Sequence, residues 1–308
     1  VFFPPVENKS FNESINGNFE GVGMEIGLKN DMLVVVAPLK DTPAWRAGIM
    51  AGDIISKIDG ETSISMSIES AVKMIRGERG TSIEFEMIRE GEAEPLTITV
   101  VRDVIDMPTI DTKLRSDGVF VISLYSFNAK SNTLFRNALR EFLLSGSNKL
   151  AIDLRGNPGG YLDSAVDLSS WFLEAGKVIV REDFGKNEDE RILRSKGYNI
   201  FNNKIKTAIL MNGGSASASE IMAGALQEHG KAKLFGTQSF GKGSVQELVN
   251  ITEDTSLKVT IARWLTPDGN SISDGGLTPD FVVEMDIEEF KKGNDTQLEA
   301  AAKWLLED

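Results

Sequence analysis

The chain has 308 residues, of which 41% are apolar, and a formal net charge of −13. The absence of cysteine excludes thiol catalysis, disulfides and cysteine-ligated metals. With only one histidine as well, a zinc site is disfavoured. The acidic balance argues against nucleic-acid partners, which need a basic face. The length suggests about two domains, and no apolar run approaches the roughly 20 residues of a membrane helix.

The first hundred residues are predicted to form a compact, β-rich unit. We expect it to span residues 17–103, after an incomplete lead-in at residues 1–16. In SIESAVKMIRG (67–77) the apolar residues recur with helical spacing, which predicts an amphipathic helix that Gly77 ends. Short apolar or alternating stretches predict strands at Met32–Ala37, Asp53–Ile58, Ser82–Ile88 and Leu96–Val101.

After residue 103, predicted strands alternate with predicted helices, which indicates an α/β layered fold over residues 104–285. The strands are Val119–Leu124, Leu150–Leu154 and Thr207–Met211, followed by a hairpin of Val245–Ile251 and Leu257–Trp264. The helices are Asn132–Leu144, Leu162–Leu173, one that ends near Glu228, and a last one within 286–308 that Asp295 or Thr296 caps.

The segment MNGGSASASE (211–220) combines the end of a strand, a glycine turn and the start of a helix. The start of a helix leaves backbone N–H groups without partners and carries partial positive charge. A serine there can place its hydroxyl beside donors that hold an oxyanion. Ser217 and Glu220 also fit the capping box, which is a purely structural alternative.

A catalytic serine needs a base, and the lone histidine cannot serve these serines. His229 lies at the far end of the same predicted helix, roughly 18 Å from Ser217, and is explained by the favourable charge at a helix end. Lys242, flanked by glycines in GTQSFGKGSVQE, is the remaining candidate. It can act only as a neutral amine, so its pKa must fall from about 10.4 through burial.

The same glycine-rich segment also resembles a nucleotide-binding loop. It matches G-x-x-x-x-G-K, but Gly243 stands where a serine or threonine should hold magnesium. A strand rather than a helix is predicted to follow. We therefore reject nucleotide binding.

The motifs together resemble the carboxy-terminal processing proteases, the tail-specific family of Ser–Lys peptidases that carry a PDZ domain. The serine segment GSASASEIMAGALQ (214–227) is followed by GKGSVQ (241–246). Further similar segments are DLRGNPGG (153–160), TPAWRAGIMAGDIISKIDG (42–60), IRGERGT (75–81), TPDGNSI (266–272) and GLTPD (276–280). The resemblance covers nearly the whole chain. It implies a crotonase/ClpP-like α/β protease core with an amino-terminal PDZ domain.

Carried over by position, the resemblance implies that Ser217 is the nucleophile and Lys242 the general base. Gln246 is then the residue that orients the lysine. The implied chemistry is two-step acyl transfer through an acyl-enzyme, without a cofactor or a metal.

The oxyanion hole that the resemblance implies consists of the Ala218 N–H and one N–H from Gly159 or Gly160. Which of the two glycines contributes stays open. The neighbouring Ser215 and Ser219 are interpreted as local turn and cap residues.

The PDZ resemblance implies a site for the carboxylate of a peptide chain end. GVGM, formed by Gly21, Val22, Gly23 and Met24, matches the carboxylate-binding loop of such domains, beside which a peptide adds as a strand. Arg76 follows the predicted helix. We hypothesise that it senses the substrate carboxylate or bridges to the protease core; the alternative is that it only complements the helix end.

The expected partners are proteins or peptides with a free carboxy terminus, and a homo-oligomer is left open. The resemblance implies an extracytoplasmic, periplasmic or exported protein. No signal segment is recognisable at the start, and we do not take this to mean a cytoplasmic protein. The alternative function is a PDZ peptide-binding scaffold on an inactive or resting protease core.

Overall fold

Strands and helices alternate through the middle of the chain, as the sequence predicts, in the computed structural model. The structure describes residues 1–5, 8–9, 13, 17–29, 32–39, 41–185, 188–201, 205–273 and 275–307. Half of the predicted lead-in at residues 1–16 therefore lies outside the described residues. Two compact units are present: Asn18–Met107 forms one, and Val1–Gly17 with Pro108–Asp308 forms the other.

The strands are numbered in chain order. The first nine are β1 Phe2–Phe3, β2 Asn18–Gly21, β3 Met24–Lys29, β4 Met32–Pro38, β5 Ile54–Ile58, β6 Glu61–Thr62, β7 Ser82–Ile88, β8 Leu96–Val101 and β9 Asp103–Asp106. The others are β10 Ile110–Leu114, β11 Phe120–Leu124, β12 Lys149–Asp153, β13 Val178–Asp183, β14 Arg191–Arg194, β15 Lys206–Met211, β16 Lys233–Gly236, β17 Ser244–Asn250, β18 Ser256–Leu265 and β19 Phe281–Val282.

The helices are numbered in the same way. They are α1 Pro43–Arg46, α2 Ile68–Ile75, α3 Ser131–Leu144, α4 Leu162–Ser170, α5 Ala218–Glu228, α6 Ile287–Lys291 and α7 Thr296–Leu306. Among the described residues, none of the helices combines the length and the apolar character needed to cross a membrane.

The central sheet of the larger unit has the order β10-β11-β12-β15-β16-β19. All pairs from β11 to β19 are parallel, and β10 runs antiparallel at the edge. Ile122, Ile152 and Ile209 belong to the core that includes α3, α4 and α5, and the residues that alternate with them pack with α7. Burial on both faces explains why these strands are continuous apolar runs.

The parallel arrangement brings three connecting segments to one edge of the sheet. Residues 154–160, 212–217 and 237–243 follow the carboxyl ends of β12, β15 and β16, which are neighbours in the sheet. In open α/β sheets ligands bind at this edge. All three segments contain predicted site residues or lead directly to them.

A second sheet continues from the lysine segment. It has the order β1-β18-β13-β14, and β17 pairs with β18 as the predicted hairpin. The register shifts between Val245 and Gln246. A strand therefore follows the G-x-x-x-x-G-K segment, as predicted, whereas a nucleotide-binding loop is followed by a helix.

The smaller unit has a sheet of order β3-β4-β5-β7-β8 and a separate β2–β9 pair. Helix α2 begins after Ser67, whose hydroxyl accepts the Ser70 N–H, and ends at Ile75, as the spacing of its apolar residues predicts. Ala71 and Ile75 of α2 lie in an apolar core with Phe85 of β7. The core is thus built from one face of a sheet and one stripe of a helix.

Some elements depart from the sequence predictions. Helix α4 ends at Ser170 rather than near Leu173. The short helix α1 and the β13–β14 hairpin carry no strong periodic pattern and were not predicted. At the carboxyl end, Asp295 rather than Thr296 caps α7, because its side chain accepts the Leu298 N–H at 3.0 Å.

Candidate active site

Ser217, the predicted nucleophile, occupies a strained turn between β15 and α5. It is the residue that precedes α5, and its φ of 57° and ψ of −114° are unusual for a residue with a side chain. Such backbone strain costs about 1–3 kcal/mol and concentrates at functional sites. A serine exposed on a sharp turn from strand to helix is a recurrent arrangement for nucleophiles.

The capping box predicted for Ser217 and Glu220 is present. Glu220 Oε2 accepts the Ser217 N–H at 2.7 Å, and the same oxygen accepts the Lys242 N–H at 3.1 Å. Two hydrogen bonds to one oxygen hold these backbone nitrogens within about 6 Å of each other. The structure therefore brings the backbones of the predicted nucleophile and the predicted base close together.

The environment of Lys242 shifts its amine toward the neutral form. Burial lowers the pKa of its amine, the positive charge of Lys258 lowers it further, and the charge of Glu220 opposes both. Within the part of the chain that the structure describes, the Lys242 amine has no hydrogen-bond or ion-pair partner. A half-buried lysine without a carboxylate partner loses the ammonium-stabilising interactions that would hold its pKa high.

The glycine-rich segment 156–160 packs directly against the turn that carries Ser217. At Gly159, which has φ of +97°, an added Cβ would lie 2.6 Å from the Ala216 carbonyl oxygen, 2.8 Å from Ser217 Cβ and 2.9 Å from Ala218 N. Only glycine permits this approach. Gly159 therefore lies against the N–H of Ala218, as an oxyanion site between them would require.

The two candidate glycines differ in the state of their backbone donors. The Gly159 N–H donates to Asn157 Oδ1 at 2.9 Å. The Gly160 N–H has no hydrogen-bond partner among the residues that the structure describes. In this arrangement Gly160 is the one with a free donor.

Ser215 and Ser219 do more than the local roles expected of them. The Ser215 hydroxyl donates to the Leu154 carbonyl at 2.8 Å, and the Ser219 hydroxyl donates to the Asn157 carbonyl at 3.0 Å. The Ser215 hydroxyl also accepts the Asn212 N–H at 3.0 Å, so its local turn role is confirmed, and the bonds to Leu154 and Asn157 add to the predicted roles. Both hydroxyls fasten the serine turn to the glycine-rich segment, far away in the sequence.

Gln246 and His229 lie away from these contacts. Gln246 is exposed on β17, and it makes no hydrogen bond to Lys242 within the described parts of the chain, so its orienting role stays a prediction. His229 follows the last residue of α5, and its Nε2 lies 2.7 Å from the Val178 carbonyl oxygen. Its predicted position at the far end of the helix, away from Ser217, is confirmed.

Comparison with known proteins identifies the family. The pattern of peptidase family S41 matches residues 118–283, which is more than half of the chain and includes the serine turn and the lysine segment. The chain belongs to peptidase family S41. The pattern of a PDZ domain matches residues 34–89, so the prediction of an α/β serine peptidase core with an amino-terminal PDZ domain is confirmed.

Three proteins illustrate what the chain is similar to. The "Carboxy-terminal-processing protease" of Bartonella bacilliformis is 40% identical over 94% of this chain and 67% of the relative. The "Probable CtpA-like serine protease" of Staphylococcus haemolyticus is 36% identical over 90% of this chain and 55% of the relative. The chain thus spans about half to two thirds of these relatives. The solved photosystem II D1 C-terminal processing protease is 25% identical, with a TM-score of 0.59 over all of this chain and 82% of that one.

In the PDZ domain of this S41 chain, the predicted carboxylate-binding loop has free donors. The N–H groups of Val22 and Gly23 have no hydrogen-bond partner within the described residues. Two hydrogen bonds to its carbonyl groups fix the loop: the buried Thr42 hydroxyl donates to the Gly23 carbonyl at 2.8 Å, and the Ala44 N–H donates to the Val22 carbonyl. Successive free N–H groups on a fixed loop can bind an anion.

Arg76 lies beside the strand that enters this loop. Its guanidinium lies 4.7 Å from the centre of the Phe19 ring. A Cβ added at Gly21 would lie 3.1 Å from the Phe19 ring and 3.8 Å from the Arg76 Cα. The structure therefore brings Arg76 near the start of the loop that Gly21, Val22, Gly23 and Met24 form. Its role stays a hypothesis.

Sequence reasoning missed part of the site. Glu220 was recognised as a cap, but its bonds to the lysine segment were not, and Asn157 and Ser239 were not singled out. The one available signal was a glutamate three residues after a candidate nucleophile.

Among the residues that the structure describes, no group of three or more His, Asp or Glu side chains is arranged to hold a metal ion.

Proposed function

We propose that this S41 chain hydrolyses peptide bonds with Ser217 as the nucleophile and Lys242 as the general base. The observation that carries the proposal is the shared Glu220 oxygen, which holds the Ser217 and Lys242 backbones side by side. The lowered pKa of Lys242 supports it, because a larger share of the amine is then neutral near physiological pH.

In the first step the Ser217 hydroxyl oxygen attacks the peptide carbonyl carbon, and its proton passes to the neutral Lys242 amine. The carbonyl oxygen becomes an oxyanion, which the N–H of Ala218 and one N–H from Gly159 or Gly160 stabilise. When the C–N bond breaks, Lys242 returns the proton to the leaving amine. The acyl group then stays on Ser217 as an ester.

In the second step water replaces the amine. Lys242 accepts a proton from the water as its oxygen attacks the ester, and the same proton passes to the Ser217 oxygen when the ester bond breaks. The enzyme is restored and the product leaves as a carboxylate. Gln246 would orient the Lys242 amine as an uncharged hydrogen-bond partner that does not favour its protonated form.

We propose that the PDZ domain selects the substrate. The proposed boundaries are 17–103 for this domain, 104–285 for the peptidase core and 286–308 for a carboxy-terminal helical segment. The free N–H groups of Val22 and Gly23 support binding of a terminal carboxylate. The substrates are then proteins or peptides with a free carboxy terminus. The extracytoplasmic location rests on the resemblance alone.

The decisive experiment compares cleavage of one tailed substrate that ends in a carboxylate with the same substrate ending in an amide. We expect faster cleavage of the first, and losses in kcat of at least about 10³-fold in Ser217→Ala and in Lys242→Ala. Lys231→Ala, which removes another lysine of the core, should cleave normally. Wild-type protein that leaves both substrates intact, and that a fluorophosphonate does not label at Ser217, would instead support the peptide-binding scaffold.

A further inference from the structure

The Glu220 carboxylate is the most heavily bonded side chain at the site. It lies on the first turn of α5 and is 1% exposed. One oxygen accepts the N–H groups of Ser217 and Lys242, as described above. The other accepts the Ser239 hydroxyl at 2.6 Å and the Gly241 N–H at 2.7 Å.

These bonds exceed what a helix cap needs. A capping box uses a single bond from the glutamate back to the residue before the helix. The other three bonds of Glu220 run to residues 239–242, the segment that carries the base. The carboxylate thus links the nucleophile turn to the lysine segment directly.

All four partners are donors, which requires a carboxylate rather than an amide. The Ser239 hydroxyl accepts the Leu277 N–H at 2.7 Å, so its own proton points to Glu220. The other three partners are backbone N–H groups. An amide at this position would place an NH₂ group against two of these donors and leave them without an acceptor.

We propose that Glu220 is a positioning residue that sets the distance between the Ser217 hydroxyl and the Lys242 amine. The proposal rests on the proposed Ser217–Lys242 chemistry. Glu220 touches neither the substrate nor the reacting atoms; it fixes the two backbones from which the reacting side chains extend. Its bond to the Ser217 N–H also holds that residue in its strained conformation.

The test is Glu220→Gln, which keeps the size of the side chain and removes two of the four acceptor interactions. We expect kcat to fall about 10²-fold, because small displacements of reacting groups cost that much, while KM stays within about twofold. Labelling of Ser217 by a fluorophosphonate should slow in parallel. Glu174→Gln, which makes the same charge change at an exposed position, should leave both rates unchanged.

A pH profile separates positioning from a general loss of structure. The Glu220 charge raises the pKa of Lys242, so its removal lowers that pKa. Since the neutral amine is the base, the acid limb of kcat/KM should move to lower pH in Glu220→Gln. A variant that merely lost part of its folded population would keep the wild-type limb.

Each outcome decides the inference. A folded Glu220→Gln protein with wild-type kcat overturns it, whether or not the acid limb moves. If Glu220→Gln does not fold, Ser239→Ala removes one donor instead and should lower kcat about fivefold at constant KM; wild-type kcat there overturns the inference as well. Wild-type protein without Ser217-dependent cleavage counts against the proposed function itself, which distinguishes the two failures.

Discussion

Arg155 and Asp295 form a bidentate ion pair between the glycine-rich segment and the cap of the last helix. The two nitrogen–oxygen distances are 2.6 Å and 2.9 Å, and the Arg155 guanidinium also bonds Asp153. Both side chains of the pair are mostly buried. The carboxy-terminal helix is thereby attached to the segment that leads to Gly159.

We predict that Asp295→Ala lowers the free energy of unfolding by about 2–4 kcal/mol, because it removes both a helix cap and a largely buried ion pair. Asp286→Ala is the matched control. Asp286 caps α6 by accepting the N–H groups of Glu288 and Glu289, so its loss should cost about 1 kcal/mol. Urea denaturation measures the free energy of unfolding of both variants. Equal losses in the two would show that the ion pair with Arg155 does not contribute to stability.

The contribution of Asp295 should also depend on pH. Burial raises its pKa, but the hydrogen bonds from Arg155 and from the Leu298 N–H outweigh this and lower it. A carboxyl with a lowered pKa in the folded state stabilises above its unfolded pKa of about 3.9, and this is lost as pH falls through the folded value. The difference between wild type and Asp295→Ala should therefore be full at pH 6 and shrink below about pH 4.

Lys258→Gln should shift the pH dependence of cleavage upward. In the proposed mechanism the neutral Lys242 amine is the base, so activity is lost as pH falls through its pKa, and the Lys258 charge lowers that pKa. Without this charge the acid limb of kcat/KM moves to higher pH, opposite in direction to Glu220→Gln. The limb should stay in place in Lys303→Gln, which removes an exposed charge on α7.

Gly159→Ala should lower kcat for cleavage by about 10²-fold or more. The new Cβ would have to displace the Ala216 carbonyl, Ser217 or the Ala218 N–H, each less than 3 Å away. Gly118→Ala serves as the control, since φ there is +86° but no atom lies within 4 Å of the new Cβ. It should cost about 1 kcal/mol of stability and leave kcat intact. Equal kcat in the two variants would mean that close packing at Gly159 does not matter.

Arg76→Ala should raise KM about tenfold for a substrate with a free terminal carboxylate, as expected for one lost charge-assisted hydrogen bond. The amidated substrate should be unaffected. Arg79→Ala is a close control, because Arg79 is exposed and pairs with Asp103 at 3.0 Å in the same domain. Unchanged KM for both substrates in Arg76→Ala would remove this arginine from carboxylate recognition.

Much of the fold could be predicted because periodic patterns coincide with burial. Strands β7 and β8 begin and end where alternation places them, and α2 ends as its apolar spacing and Gly77 predict. Short elements such as α1, whose four residues make less than two turns, have no period to detect. Their positions depend on contacts with distant parts of the chain.

The candidate site was predictable to the extent that a motif is local. The serine turn and the glycine-flanked lysine could be recognised, but local pattern favoured only a cap at Ser217. The bonds from Glu220 to Lys242 and from Ser219 to Asn157 join segments distant in sequence, so no spacing rule reveals them. The choice between Gly159 and Gly160 also could not be made from the sequence, because it depends on which of the two N–H groups has a partner in the folded chain.

The edge of the parallel sheet has a consequence for the order of folding. The glycine-rich segment, the proposed nucleophile and the proposed base each follow a different strand, β12, β15 and β16, and meet only when these strands have paired. Such pairings between distant segments form slowly, because loop closure costs entropy before the contacts compensate for it. A chain in which β16 has not yet joined β15 holds Ser217 apart from Lys242. With the proposed dyad, a peptidase assembled in this way has no active site while its own chain is still unfolded and most easily cut.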